Sequence, residues 1–126
     1  MMCYTLSIEV RIMEQVEVMD FSLCPKFEKG FQILGKKWNG LIIDVLLEGG
    51  PQRFVDIAAK ISDVSDRVLT ERLKELESEG IVGRVVACGS QKRMDYCLTE
   101  KGEALKNVMN EIHRWGDTWI TNEECS

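Results

Sequence analysis

Two sets of side chains in this sequence are spaced for chemistry. One is a cysteine set directly ahead of a proline. The other is a row of short polar and cationic groups on one side of a leucine-striped run. Cys24 precedes Pro25, and proline favours the first helical position, so the thiol stands at the N-cap of a helix. Free backbone N–H groups and the helix dipole favour an anion there, and Lys26 and Lys29 follow within a turn. That setting favours thiolate, the form from which oxidation and alkylation start. A second reading stays open, because free cysteine is also a small hydrophobe that caps or fills without reacting.

The polar row lies between Ser65 and Glu79. Ser65 sits just before an apolar-periodic run, where an N-cap belongs, and Gly80 closes it as a residue suited to a left-handed C-terminal stop. At about 100° per residue, Val68, Leu69, Leu73 and Leu76 share one stripe. Arg67, Thr70, Glu71, Lys74 and Ser78 take the opposite side, and such groups can reach base edges and phosphates in a major groove. Arg72 falls on the flank of the leucine stripe, so it is expected to hold a carboxylate within the domain. An ordinary amphipathic surface helix would show the same pattern, and only the chain beyond Gly80 separates the two readings.

Other chemistry is poorly represented. There is no Ser/His/Asp set, paired carboxylate or glycine-rich phosphate loop, so no enzyme is expected and no cofactor is implied. The five cysteines, Cys3, Cys24, Cys88, Cys97 and Cys125, are an odd set with no C-x-x-C spacing. That argues against a disulfide framework or a metal site and for free thiols in a reducing cytoplasm. The lone His113 reads as a surface or interface residue. No run approaches the ~20 apolar residues of a membrane span. The net charge of −5 does not advertise a nucleic-acid binder. However, residues 1–24 and 99–126 each carry −3, which leaves the middle of the chain close to neutral. Local Arg and Lys can therefore still meet DNA.

The elements that must position these groups follow from punctuation and period. At 126 residues the chain is long enough for one core. Residues 4–12 alternate as a short strand would, and residues 13–19 suit strand or helix, so 1–23 reads as an extension. Helices are expected over 25–34, stopping at Gly35, and over 36–48, with Trp38, Leu41, Ile42, Val45 and Leu46 inward. Arg53-Phe54 reads as a brief extended piece and Val55–Ile61 as a third helix, ahead of the Ser65–Glu79 helix. Ile81–Cys88 and Arg93–Leu98 make a hairpin around a four-residue loop, which sets Cys88 opposite Arg93 and Cys97 opposite Arg84. Thr99 then caps a long helix with Leu105, Val108, Met109, Ile112, Trp115 and Trp119 on one apolar stripe. That stripe is too long for so small a domain to cover, so it is expected to join two copies. Residues 121–126 form a tail.

Three helices, the last with a leucine-anchored polar face, followed by a hairpin give the order of a winged helix-turn-helix. The fold class is α+β, mainly α, with a long C-terminal dimerisation helix. Several motifs carry a closer likeness: Cys24-Pro25; Ile33-Leu34-Gly35-Lys36-Lys37-Trp38; Arg53-Phe54; Val68-Leu69-Thr70-Glu71-Arg72-Leu73-Lys74-Glu75-Leu76; Glu79-Gly80-Ile81; and Tyr96-Cys97-Leu98-Thr99-Glu100-Lys101-Gly102. In this order and spacing the chain resembles the HxlR-type winged-helix regulators of bacteria, relatives of the MarR group, over about residues 24–119. The resemblance implies a homodimeric DNA-binding transcriptional regulator, with 24–120 as its domain. It also implies that a cysteine at the place of Cys24 senses oxidants or electrophiles. One departure is the loop Cys88-Gly89-Ser90-Gln91-Lys92, where the family's wing usually carries stiffening prolines.

The expectation is a sequence-specific DNA-binding regulator, a repressor switched through Cys24. It would read a pseudo-palindromic double-stranded operator through Ser65, Arg67, Thr70, Glu71 and Lys74, with Lys92 and Arg93 at the wing. The alternatives are a regulator answering a non-covalent small ligand, and a module whose polar face binds protein. Salt-dependent binding to promoter DNA separates the last from the first two.

Overall fold

Proline and glycine punctuate this chain into short helices, and the apolar residues between them decide which faces close on one another. The computed structural model describes residues 22–86 and 93–125. The chain divides into two compact units, Met1–Ile33 and Leu34–Ser126. Helix α1 (Pro25–Gly35), most of which belongs to the first unit, begins at the proline, and Phe27 and Phe31 lie ring to ring at 5.6 Å. The period-two segment 4–12 and the ambiguous 13–19 lie outside the described residues.

The second unit holds α2 (Asn39–Gly49), α3 (Phe54–Lys60), α4 (Asp66–Ser78), strands β1 (Val82–Val86) and β2 (Met94–Leu98), α5 (Glu100–Glu103) and α6 (Lys106–Trp119). Helix α2 is the hub and packs on α3, α4, α6 and β2. Its Ile42, Ile43 and Leu46 are buried with Ile57 of α3 and Leu69, Leu73 and Leu76 of α4. At ~1.5–3 kcal/mol for each large apolar side chain removed from water, these seven dominate the unit's stability. Three helices and an antiparallel hairpin in this order are a winged helix-turn-helix.

Five expectations need correction. Helix α2 starts at Asn39, three residues late, because Trp38 takes a left-handed conformation (φ 82°) at its N-cap. The inward set is also turned by about one residue: Ile43 is buried, whereas Leu41 is 53% exposed. Residues 41–43 and 45–47 are all apolar, so a helix packed on several sides leaves no single stripe to read. The extended piece is Gln52-Arg53 rather than Arg53-Phe54. Gln52 pairs in antiparallel fashion with Tyr96, each N–H donating to the other's carbonyl, which adds a one-residue third strand to the hairpin.

The hairpin register differs by one residue from the expected one. Gly83 faces Cys97, Arg84 faces Tyr96 and Val86 faces Met94. Cys97 therefore lies opposite Gly83, not Arg84, and Cys88 itself is outside the described residues. Finally, the expected continuous last helix is two helices with Ala104-Leu105 in a turn between them. Thr99 does cap the first, its hydroxyl accepting from Gly102 N–H at 3.1 Å. Gly102 is buried so tightly on Ile81 that a Cβ would collide with the Ile81 carbonyl oxygen.

Candidate nucleic-acid interface

Helix α4 is fixed at both ends by its own sequence. The Ser65 hydroxyl accepts from Val68 N–H at 3.2 Å, as the N-cap expectation required. At the other end Gly80 has φ 78°, its N–H donates to Glu77 O, and Ile81 N–H donates to Leu76 O. These two bonds are the Schellman pattern, with Ile81 buried in the same core as Leu76. A left-handed residue is required there, which is why glycine occupies the position.

Along the inner face, Leu69, Leu73 and Leu76 are fully buried. Arg72 lies on the flank, 18% exposed, as the helical count predicts. It donates to the Glu75 carboxylate at 3.3 Å and through Nε to the Lys37 carbonyl at 3.2 Å. Lys36 reaches the same carboxylate at 2.7 Å. The Lys36 hydrogen bond is the main cause that holds the Glu75 carboxyl below its ordinary value, with Arg72 adding to it. This network ties α4 to the turn ahead of α2.

The outer face stays open. Ser65, Arg67, Glu71 and Lys74 are exposed, and Thr70 is half-buried with its hydroxyl donating to the Asp66 carbonyl at 2.7 Å. Arg67 is 88% exposed and lies 3.7 Å from the Glu71 carboxylate. An exposed ion pair of that length is worth less than ~1 kcal/mol, so the guanidinium is free to leave it for a base or phosphate. The residues proposed from sequence for the groove thus share one surface near the N-terminal half of α4, where helices of this kind read base edges.

At the wing the two expected cations fare differently. Arg93 is pinned by the buried Asp95 carboxylate, at 3.0 and 3.3 Å. Lys92 lies outside the described residues. Arg84 was not singled out from the sequence. It pairs with Glu77 at 3.0 Å and rests its guanidinium 5.1 Å from the Tyr96 ring.

Cys24 is exposed and its carbonyl accepts from Glu28 N–H at 3.0 Å, the first bond of α1, which makes it the N-cap residue. Cys97 is half-buried and Cys125 exposed. Of the apolar stripe on the last helix, Val108, Ile112, Trp115 and Trp119 are exposed by 41–69%. Met109 is buried within its own chain and Leu105 half-buried. Among the described residues no cluster of His, Cys, Asp or Glu could hold a metal ion. None of their helices is long and apolar enough to cross a membrane.

Sequence reasoning also missed a link between two helices. His113 of α6 and Asp44 of α2 are joined at 2.9 Å, and the Asp44 hydrogen bond raises the imidazole above its ordinary value. They border a cavity of about 360 Å³ lined by Leu34, Trp38, Leu41, Met109 and Ile112. The pairing spans 69 residues, and only the adjacency of the two helices could have announced it.

Comparison with known proteins places this geometry. The profile of the HxlR-like helix-turn-helix family matches residues 33–124. Two transcriptional regulators of helix-turn-helix type from Bacillus subtilis (strain 168) are similar in sequence. YvaP is 49% identical over 98 residues, covering 78% of this chain and 90% of its own. YodB is 48% identical over 99 residues, covering 79% and 88%. The reduced form of YodB superposes with a TM-score of 0.68 at 47% identity, over 79% of this chain and 96% of that one. YodB has also been solved bound to quinone and after diamide treatment, at TM-scores of 0.65 and 0.63. The redox regulator HypR, in its reduced form, matches at 0.68 with 29% identity, over 80% and 99%.

Proposed function

The chain belongs to the HxlR-like helix-turn-helix family of transcriptional regulators, and on that premise we propose that it is a homodimeric repressor released from DNA by modification of Cys24. The observation that carries the DNA reading is the outer face of α4. It is polar and cationic, exposed at Arg67 and Lys74, and rigidly held by a capped helix and three buried leucines. Two copies of α4, one duplex turn apart, fit a pseudo-palindromic operator. The exposed row Val108, Ile112, Trp115 and Trp119 supplies an apolar face for the second copy. Binding duplex DNA and keeping free thiols both suit a cytoplasmic protein.

The switch reading is supported by an exposed thiol at a helix N-cap with two lysines in the next turn. It is also supported by similarity to YodB, which is known in reduced, quinone-bound and diamide-treated forms, and to HypR, a redox regulator. Covalent change at the junction of the extension and α1 needs to couple to DNA by only ~1–3 kcal/mol to empty an operator.

The test is a footprint over the DNA upstream of the chain's own gene, with and without diamide or a quinone, in wild type and Cys24→Ser. Protection lost on treatment in wild type and retained in the variant is the expected result. Release that persists in Cys24→Ser moves the switch to another thiol. No protection in either protein at low salt overturns the DNA reading.

A further inference from the structure

No residue of α4 lines the cavity between α2 and α6, although Lys36 and Lys37 at its rim also hold that helix. At about 360 Å³ it falls within the range of small-molecule sites, roughly 300–1,000 Å³. Its lining is apolar and partly aromatic: Leu34, Trp38, Leu41, Met109 and Ile112. Leu41 and Ile112 are each more than half exposed, so the cavity opens to solvent. Trp38 is the sole non-glycine residue with positive φ among the described residues. Such outliers persist where the surrounding structure enforces them and gather at ligand sites. Into this apolar surround the Asp44 carboxylate brings one strong acceptor.

We propose that this cavity binds a small, flat, uncharged aromatic molecule bearing one O–H or N–H donor, such as a hydroxyarene or an indole. Trp38 offers a ring to stack on, and the aliphatic and thioether side chains around it favour an apolar body. A carboxylate has about four lone-pair sites, and His113 uses one of them, so Asp44 can accept from a ligand without breaking the pair. The same carboxylate repels an acidic ligand. Each cation that borders the cavity has a partner: Lys36 pairs with Glu75 at 2.7 Å, His113 with Asp44 at 2.9 Å, and Lys37 lies over the Trp38 ring at 4.9 Å. A molecule seated there touches both the hub helix α2 and the helix that carries the exposed apolar row, so occupancy biases the spacing of the two reading helices. That coupling rests on the DNA-binding reading above, whereas binding itself does not.

The experiment uses the full chain carrying Cys24→Ser, so that covalent chemistry at this thiol plays no part. The Trp38 indole N–H, assigned with Trp38→Phe, is followed by NMR during titration with 2-naphthol, naphthalene and 2-naphthoate. Saturable shifts with 2-naphthol at least tenfold tighter than with the other two are expected. Asp44→Ala should erase that advantage, and His113→Ala, which removes the competing donor, should keep it. Equal affinity for all three, or tighter 2-naphthoate, overturns the donor chemistry. Shifts seen only when the dimer is diluted apart show that a second copy fills the cavity, and overturn the site. Operator binding measured with saturating 2-naphthol is a separate arm. Site binding with unchanged operator affinity overturns the coupling alone.

Discussion

Arg67 and Arg72 lie five residues apart on one helix and do opposite work, because about 500° of rotation carries one outward and the other to the edge of the core. Arg67 is almost fully exposed, so Arg67→Ala should leave the urea midpoint within error. It should weaken specific operator binding by ~1–3 kcal/mol, as for an arginine paired to guanine. A fluorescence anisotropy titration against operator and scrambled duplex checks both the size and the sequence dependence. Ser65→Ala should do the reverse first: loss of the cap costs ~0.5–2 kcal/mol of stability, read by urea unfolding. Ser65, Gly80 and the three leucines were legible in the sequence because their partners lie within one or two turns. The side of the helix taken by Arg72 was legible too. Its carbonyl partner at Lys37 was not, since it lies 35 residues away.

At the scale of elements, the hairpin shows what pattern alone leaves open. Both strands were visible from β-branched and alternating residues, yet their register slipped by one. Loop length sets that register, and neither strand has a strictly alternating buried face to correct it: β1 is buried only at its first residue. The phase of α2 was lost for a similar reason, because apolar residues surround most of the helix. The break after Glu103 was invisible because Gly102 answers to a carbonyl two elements away rather than to its neighbours. Gly102→Ala should therefore destabilise on balance, since an overpacking cost of ~1–3 kcal/mol outweighs the ~0.8–1 kcal/mol that favours alanine in an open helix. Thermal unfolding of the variant tests this, and an unchanged midpoint would mean that Ile81 moves aside freely.

For the molecule as a whole, two side-chain links between distant elements titrate in opposite senses. His113 is raised by Asp44, so its contribution is complete below the unfolded value near 6.5 and is lost as pH climbs through the higher folded one. Glu75 is lowered, chiefly by Lys36, so its contribution is present above the ordinary 4.5 and is lost as pH falls through the depressed value. Both pairs are largely exposed and each effect is small. Urea midpoints from pH ~5.5 to ~8.5 should fall slightly toward the alkaline side in the parent chain and flatten in Asp44→Ala, a window set by the histidine alone.

One contact at the base of the hairpin reaches further than stability. Thr99 donates its hydroxyl to the Gly80 carbonyl at 2.6 Å and its N–H to Ile81, while Lys101 fastens onto the Glu79 carbonyl. The strand that leaves α4 and the strand that returns are thus buckled together where they meet the body. The loop-closure entropy of chain length added between Val86 and Arg93 is small, about 0.6 kcal/mol for each doubling. Should α4 read the groove as proposed, this clasp would let the sequence between Val86 and Arg93 change with little disturbance to the reading helix, which makes the wing the part of this regulator that descent can rewrite most cheaply.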